Sequence, residues 1–284
     1  MRILHICYSD SRGGAAIAAY NIFKSQKDLG LDVYFLCYEK FHDDKKIIEI
    51  EKNFLKKKIH QYQKGLDRRL IKFFIKDRDN SHSTGLFGLG IIDKIKKINP
   101  DIINLHWINN SMLSIKEISN LKKFKIFWTL HDMWPFCATG HYTIRDDYII
   151  GYEKIKKLDF EKFIFKKKKK YFGNFINIIC PSRWIFEQVK KSDLFKENEI
   201  KIIHHPMDEK LWNLDYKLNT NFLSFSEKYN NIILFGSERG SNLKRKNFNF
   251  LLETVSKIKK KIKKTVYSYL VEKKEKIYIL KISM

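Results

Sequence analysis

Cysteine is sparse and scattered. Four residues, Cys7, Cys37, Cys137 and Cys180, are too widely separated for metal-ligand spacing or a disulfide framework, and three fall within or at the end of apolar runs. They read as small, reduced core residues of a cytosolic protein. Long apolar runs are also missing. No stretch approaches the ~20 apolar residues that cross a bilayer. The opening MRILHICYSD has too short an apolar run for a secretory signal and passes directly into a structured pattern. No repeat of fixed period is present, which excludes solenoid and propeller architectures. Acidic residues are few beside basic ones, 32 against 56, for a formal charge of +24. A field of that sign attracts polyanions: nucleic acid, anionic headgroups or a phosphate-bearing substrate. Heavy use of Lys, Ile, Asn and Phe gives a plainer source for part of the excess, a drift in composition expressed on solvated surfaces.

Apolar material is ample. Hydrophobic residues make up 44% of 284, enough for a substantial core and for two domains of ~100–200 residues each. RILHICY (2–8) is a continuous apolar strand and SDSRGG a turn. The helix that follows, 15–29, carries Ala16, Ala19, Tyr20 and Phe23 on one face. Gly30 stops it, and DVYFLCY (32–38) is a second buried strand. Strand, glycine turn, helix and strand in under forty residues make a βαβ unit, hence a parallel sheet with a right-handed crossover.

The alternation continues. IIDKIKKI is a helix stopped by Asn99-Pro100, and DIINLHW (101–107) is a strand. Ser114 and Glu117 form a capping box, and KIFWTL (125–130) is a strand. A lysine-rich helix covers 158–173, INIIC (176–180) is a strand, and RWIFEQVKK is a helix. KIIHH (201–205) is a strand ending at Pro206. This is the pattern of a doubly wound α/β domain over 1–205. Residues 206–230 are polar and aperiodic, as a linker is, and 231–284 begin a second domain with the strand NIILFGS, the loop ERGSNLKRK and the helix NFNFLLETVSKIKKK.

Several stretches could carry chemistry. Gly13-Gly14 lies between the first strand and its helix, where backbone N–H groups can approach an anion. It is not the G-x-G-x-x-G dinucleotide fingerprint, and a tight turn alone would also need glycine. TLHDMWPF (129–136) ends a strand on His131 and Asp132, at the edge of a parallel sheet that faces the ligand crevice. A neutral imidazole there can bond a sugar hydroxyl, with the carboxylate orienting it; alternatively the pair ties down a turn. His106 and Trp107 close a neighbouring strand and line the same crevice, although core packing is the favoured role. His204 and His205 point to opposite faces as strand neighbours and have no third metal ligand. GSERGSNLKRK (236–246) is either a diphosphate clamp at a helix N-terminus or a plain basic loop. Leu55, Ile59, Tyr62, Leu66, Leu70 and Phe73 share one helical face, with Lys56–Lys58, Lys64, Arg68, Arg69 and Lys72 around them. Such a helix either lies on anionic headgroups or packs its apolar face into the core.

In order along the chain, SRGGAAIAAYNI, NLHW, TLHDMWPF, CPSRWIFEQ, KIIHHPMDEKLW and ILFGSERGSNLKRKNFNFLLE resemble family 4 of the glycosyltransferases, over residues 1 to about 260. The second to fifth are similar to its bacterial surface-polysaccharide branch, which includes lipopolysaccharide and capsule enzymes. The resemblance implies the GT-B fold, two Rossmann-like domains facing across a cleft. It also implies transfer of a sugar from a nucleotide-sugar to a lipid-linked or polysaccharide acceptor, with retained anomeric configuration and without a metal or further cofactor. The expected place is the cytoplasm, at the inner face of the membrane, with nucleic acid not expected as a partner. By position, His131 would touch the transferred sugar and Asp132 would support it. Gly13 and Gly14 would approach donor phosphates or acceptor. Arg245 and Lys246, or Lys244 in a register slipped by one, would neutralise the departing diphosphate.

Two departures stand out. The segment GHYTIRDDYIIGYEK lacks a cysteine common after the HDMW motif in that branch. After Lys263 the pattern ends, and the paired glutamates that hold ribose and sugar in the family have no counterpart at Glu272 and Glu275. A second domain needs on the order of 150 residues, so the sequence reads as a truncated and impaired enzyme. In that reading one βα unit, with Phe248, Leu251, Leu252 and Val255 on its helix, lacks the sheet it should cover. The other reading is an inactive fragment or a basic membrane- or polyanion-binding protein on a relic fold.

Overall fold

The computed structural model describes residues 1–50, 53–77, 80–154, 159–207, 209, 231–236, 244–261, 266–272 and 276–280. They fall in two compact units, Met1–Met207 and Asp208–Met284.

The first unit is built on a seven-stranded parallel sheet. Its strands are β1 (Arg2–Ser9), β2 (Asp32–Glu39), β3 (Ile47–Glu49), β4 (Ile102–Leu105), β5 (Lys125–Thr129), β6 (Ile176–Cys180) and β7 (Ile200–Ile202). Its helices are α1 (Gly14–Asp28), α2 (Phe54–Phe74), α3 (Ile92–Ile98), α4 (Ile115–Ser119), α5 (Phe160–Tyr171) and α6 (Arg183–Lys191). The strand order is β3-β2-β1-β4-β5-β6-β7. The chain starts in the middle, winds to one edge, then returns beside β1 and winds to the other. The direction reverses between β1 and β4, and such a switch point opens a crevice at the carboxyl ends of the strands. The expected doubly wound fold is present.

Continuous apolar strands supply both faces, as a sheet covered on both sides requires. Leu4, Ile6, Ile103, Leu105, Ile126 and Trp128 belong to one core cluster; Ile3, Cys7, Val33 and Phe35 belong to the other, with Ala16, Ala19 and Phe23 of α1. All four cysteines are buried and free. The Ser114–Glu117 capping box forms in full.

Three details go beyond the sequence reading or depart from it. The three-residue β3, too short to show a period, adds an edge strand. The strand expected over 201–205 stops at Ile202; His204 instead bonds the Pro181 carbonyl at 2.8 Å, and His205 stacks on His131. The apolar face of α2 is not packed into the core. Leu55, Tyr62 and Phe73 are 65%, 65% and 82% exposed, and Leu66 and Leu70 are half-buried. The helix attaches through a polar stripe at 60, 63 and 67. His60 donates to the Asn110 carbonyl at 2.7 Å, Gln63 to the Gly88 carbonyl at 3.2 Å, and Asp67 accepts from Thr84. Those loop groups lie outside the sheet ladder, and α2 satisfies them.

The second unit contains β8 (Asn231–Gly236), a single 3-10 turn at Lys244–Lys246, α7 (Phe248–Lys261), β9 (Val266–Glu272) and β10 (Lys276–Leu280). The sheet order is β10-β9-β8, with β8 and β9 parallel and β9 and β10 antiparallel. The helix therefore does have a sheet in its own unit: Val255 is buried, and Phe248 meets Phe235 at 5.2 Å between ring centroids. The expected linker, 206–230, lies outside the described residues apart from Pro206, Met207 and Glu209.

Candidate functional site

Register brings the carboxyl ends of three strands together. Ile6 pairs with Leu105, and Leu105 with Trp128, so the segments leaving β1, β4 and β5 emerge side by side. The turn after β1 is shaped by Ser9, whose Oγ accepts from the N–H groups of Ser11 and Arg12 at 3.3 and 3.1 Å. Buried Asp10 accepts from the Phe41 and His42 N–H groups and ties the loop after β2 to this turn. Gly13 is the N-cap of α1 at φ 90°, ψ 158°, a region essentially reserved for glycine. No side chain caps the helix and no acidic residue lies in its first turn. Gly14 is exposed, with nothing within 4 Å of where a Cβ would stand. The first N–H groups of α1 thus remain open to an acceptor from outside the helix.

The second feature is a line of histidines crossing the middle strands. His5 Nε2 lies 2.8 Å from Gln26 Oε1, His5 Nδ1 lies 3.0 Å from His106 Nε2, and His106 Nδ1 lies 3.0 Å from His131 Nε2. His205 stacks on the far side of His131, 5.2 Å between centroids at 22°. Burial disfavours the charged ring throughout. It pushes His5 down to about 4, against the opposing effect of its hydrogen bond to Gln26 Oε1. It takes His131 to about 3, with His205 adding to the effect and Asp132 opposing it. His106 is driven well below the ordinary range, by burial first and then by its histidine neighbours. At neutral pH the line is uncharged.

Asp132 does not bond to its neighbour His131. Its carboxylate accepts from His141 Nδ1 at 2.5 Å, Trp107 Nε1 at 3.1 Å and the Trp134 N–H at 3.0 Å. Burial would raise its pKa, but the His141 imidazole and its hydrogen bond, the Trp134 N–H and His131 together hold it below the usual carboxylate range. Asp132 thus ties the loop after β5 to Trp107, Trp134 and His141. Ser83 Oγ lies 2.9 Å from His141 Nε2, completing a Ser-His-Asp line. Ser83, His141 and Asp132 are only 7%, 4% and 8% exposed, so this line is a structural tie, not a nucleophile presented to substrate.

The rest of TLHDMWPF is fixed from below. Trp134 Nε1 donates to the Ser83 carbonyl at 2.7 Å, and buried Lys168 donates to the carbonyls of Trp134 and Cys137. The segment without the family's cysteine supplies other anchors: His141 holds Asp132, and Tyr142 Oη donates to the His131 carbonyl at 3.3 Å. Lys244, Arg245 and Lys246 lie in the 3-10 turn before α7 in the second unit, with Lys244 and Lys246 exposed. Residues 237–243 of the expected clamp lie outside the described residues.

The sequence model of Glycosyltransferase Family 4 matches residues 12–211. The chain belongs to glycosyltransferase family 4. That match contains the glycine turn and His106, His131 and His205, leaving His5 just outside it. A solved glycosyltransferase from Rickettsia africae ESF-5 is similar at 17% identity with a TM-score of 0.52, covering 95% of this chain and 60% of that one. WaaG, a glycosyltransferase involved in lipopolysaccharide biosynthesis, is similar at 11% identity with a TM-score of 0.48, covering 95% of this chain and 64% of that one. The family 4 chain therefore spans less than two thirds of the length of these structures, and at such identities the likeness is one of fold. No curated protein sequence matches it.

Sequence reading missed His5, Gln26, His141 and His205 as parts of the site. A histidine within the apolar run RILHICY was the available signal, because a buried imidazole needs partners. The second histidine of HHP carried no comparable mark.

Proposed function

We propose that this family 4 chain moves a sugar from a nucleotide-sugar donor to a lipid-linked or polysaccharide acceptor of the bacterial surface, retaining anomeric configuration without a metal. The observation that carries the reading is His131, a neutral imidazole just past β5, a strand whose carboxyl end emerges alongside those of β1 and β4. In the proposed reaction His131 bonds a hydroxyl of the transferred sugar. Neutrality matters there. The transition state gains oxocarbenium character, and an imidazolium alongside would repel it in a low-dielectric site. Gly13 and Gly14 let phosphate or acceptor approach the N-terminus of α1. Arg245 and Lys246, with Lys244 as the register alternative, neutralise the leaving diphosphate. Asp132 holds the loop through His141 and the two tryptophans.

The chain works, in this reading, at the cytoplasmic face of an anionic membrane, with α2 as the contact. Phe54, Leu55, Tyr62 and Phe73 stand exposed among Lys56–Lys58, Lys64, Arg68, Arg69 and Lys72, the combination that seats a helix at a charged lipid interface. No helix among the described residues is long and apolar enough to cross a membrane.

The test is calorimetry with UDP- and GDP-sugars on the purified chain, followed by donor consumption. Binding of one nucleotide class, with turnover lowered at least tenfold by His131→Ala, supports the reading. Absence of binding at millimolar donor, together with absence of donor consumption, overturns it.

A further inference from the structure

We propose that Gln26, on α1, sets through His5 and His106 which nitrogen of His131 carries the proton, so that His131 presents an Nδ1 lone pair to its ligand. Each inner ring has both nitrogens committed within the line: His5 to Gln26 and His106, His106 to His5 and His131. A neutral imidazole has one N–H and one lone pair. Two such rings in series can therefore point only one way together. Any break in direction sets two N–H groups, or two lone pairs, against each other in a buried contact. His5 and His106 are 0% and 3% exposed, so water cannot mend such a break.

The direction is decided at the ends. Gln26 presents Oε1 to His5, which requires His5 Nε2–H. His5 Nδ1 then accepts from His106 Nε2–H, and His106 Nδ1 accepts from His131 Nε2–H. At the other end no described residue bonds His131 Nδ1, so only a ligand can compete with Gln26 for control. His131 in this form accepts a hydrogen bond and offers none from Nδ1. A hydroxyl that donates fits it; a carbonyl or phosphate oxygen does not. Burial keeps the rings neutral around pH 7, the condition under which a single direction is defined. Gln26 is a positioning residue and touches no substrate.

The inference deepens the role proposed for His131 as a hydroxyl partner, and its test reads the protein alone. The chain is labelled with 15N at histidine, and long-range 1H–15N correlation spectra assign the protonated nitrogen of each ring, using His5→Phe and His205→Phe to aid assignment. Wild type is expected to show Nε2–H at His5, His106 and His131. Gln26→Lys replaces the acceptor by a donor and is expected to reverse all three to Nδ1–H. Gln26→Met, with neither, is expected to give mixed tautomers at His131. Thermal melts confirm that each variant folds, which the half-buried position of Gln26 favours. A wild-type array without a common direction, or a His131 tautomer unchanged in both Gln26 variants, overturns the proposal. Failure to transfer sugar would leave these spectra unaffected, so the two readings fail separately.

Discussion

Lys168 Nζ stands 3.6 Å from the centre of the Trp134 ring, at the end of a side chain with no exposure. The same ammonium group donates to the carbonyls of Trp134 and Cys137. Burial drives its pKa well below the ordinary lysine range, with Cys137 and Asp132 opposing. The loop carrying His131 and Asp132 thus rests on a lysine from α5, the one fully buried lysine among the described residues.

Lys168→Met keeps most of the volume and removes both donors. Leaving two buried carbonyls without them should lower unfolding stability by about 2 kcal/mol, read from denaturant melts followed by tryptophan fluorescence. A change within about 0.5 kcal/mol, the range of ordinary surface substitutions, would show that the loop holds itself.

Stability should fall as pH drops from about 6.5. His5 and His131 have folded values near 4 and 3, below their unfolded value, so the unfolded chain binds more protons in that window. Their contribution is fully present above about 6.5 and is lost on the way down to the folded values, at about 1.4 kcal/mol per pH unit for each histidine. Asp132 also has a depressed value, but its contribution disappears only below the unfolded carboxylate value of about 3.9. Denaturant melts at pH 7.5, 6 and 5 separate the two. Equal stability across that series would contradict the buried neutral line.

Neighbouring glycines should behave differently. Gly13→Ala forces a side chain into φ 90° and should cost about 1–3 kcal/mol. Gly14→Ala meets open space at the first turn of α1 and should leave stability unchanged or raise it by about 0.5 kcal/mol. If a phosphate approaches this turn, Gly14→Ala should still weaken donor binding. Paired melts and calorimetry decide; undiminished donor binding in Gly14→Ala would remove the glycine turn from the proposed site.

The purified chain should bind phosphatidylserine vesicles in low salt and release them as the Debye length shortens toward ~3 Å near 1 M. Tyr62→Ser with Phe73→Ser should weaken binding without unfolding the chain, because both side chains are exposed. Equal sedimentation with neutral and anionic vesicles would sink the assignment of α2 as an electrostatic contact.

Much of the fold was legible because its signals are local. The runs at 2–8, 32–38 and 125–130 are apolar enough to read as buried parallel strands, and Ser114 with Glu117 marks a helix start four residues long. The site was half legible. Strand-end position singled out His131 and Asp132, but nothing local reveals that His5, 101 residues before His106, meets it at 3.0 Å. Asp132 likewise reads as a partner for the residue beside it, whereas its bonds reach Trp107 and His141. For α2 periodicity showed the apolar stripe but left open whether the core takes it; the exposure of Leu55, Tyr62 and Phe73 answers that it does not. The antiparallel pairing of β9 with β10 had no sequence mark, because neither proline nor glycine stands between the two runs.

The polar attachment of α2 has a consequence for how the molecule opens. Among its described residues His60 is the one fully buried side chain, so releasing the helix bares little new apolar surface. Such an opening carries a small heat-capacity change and a small dependence on denaturant. Amide protons of α2 should therefore exchange through a local fluctuation that urea hardly accelerates, while those of β1, β4 and β5 wait for the whole first unit to unfold.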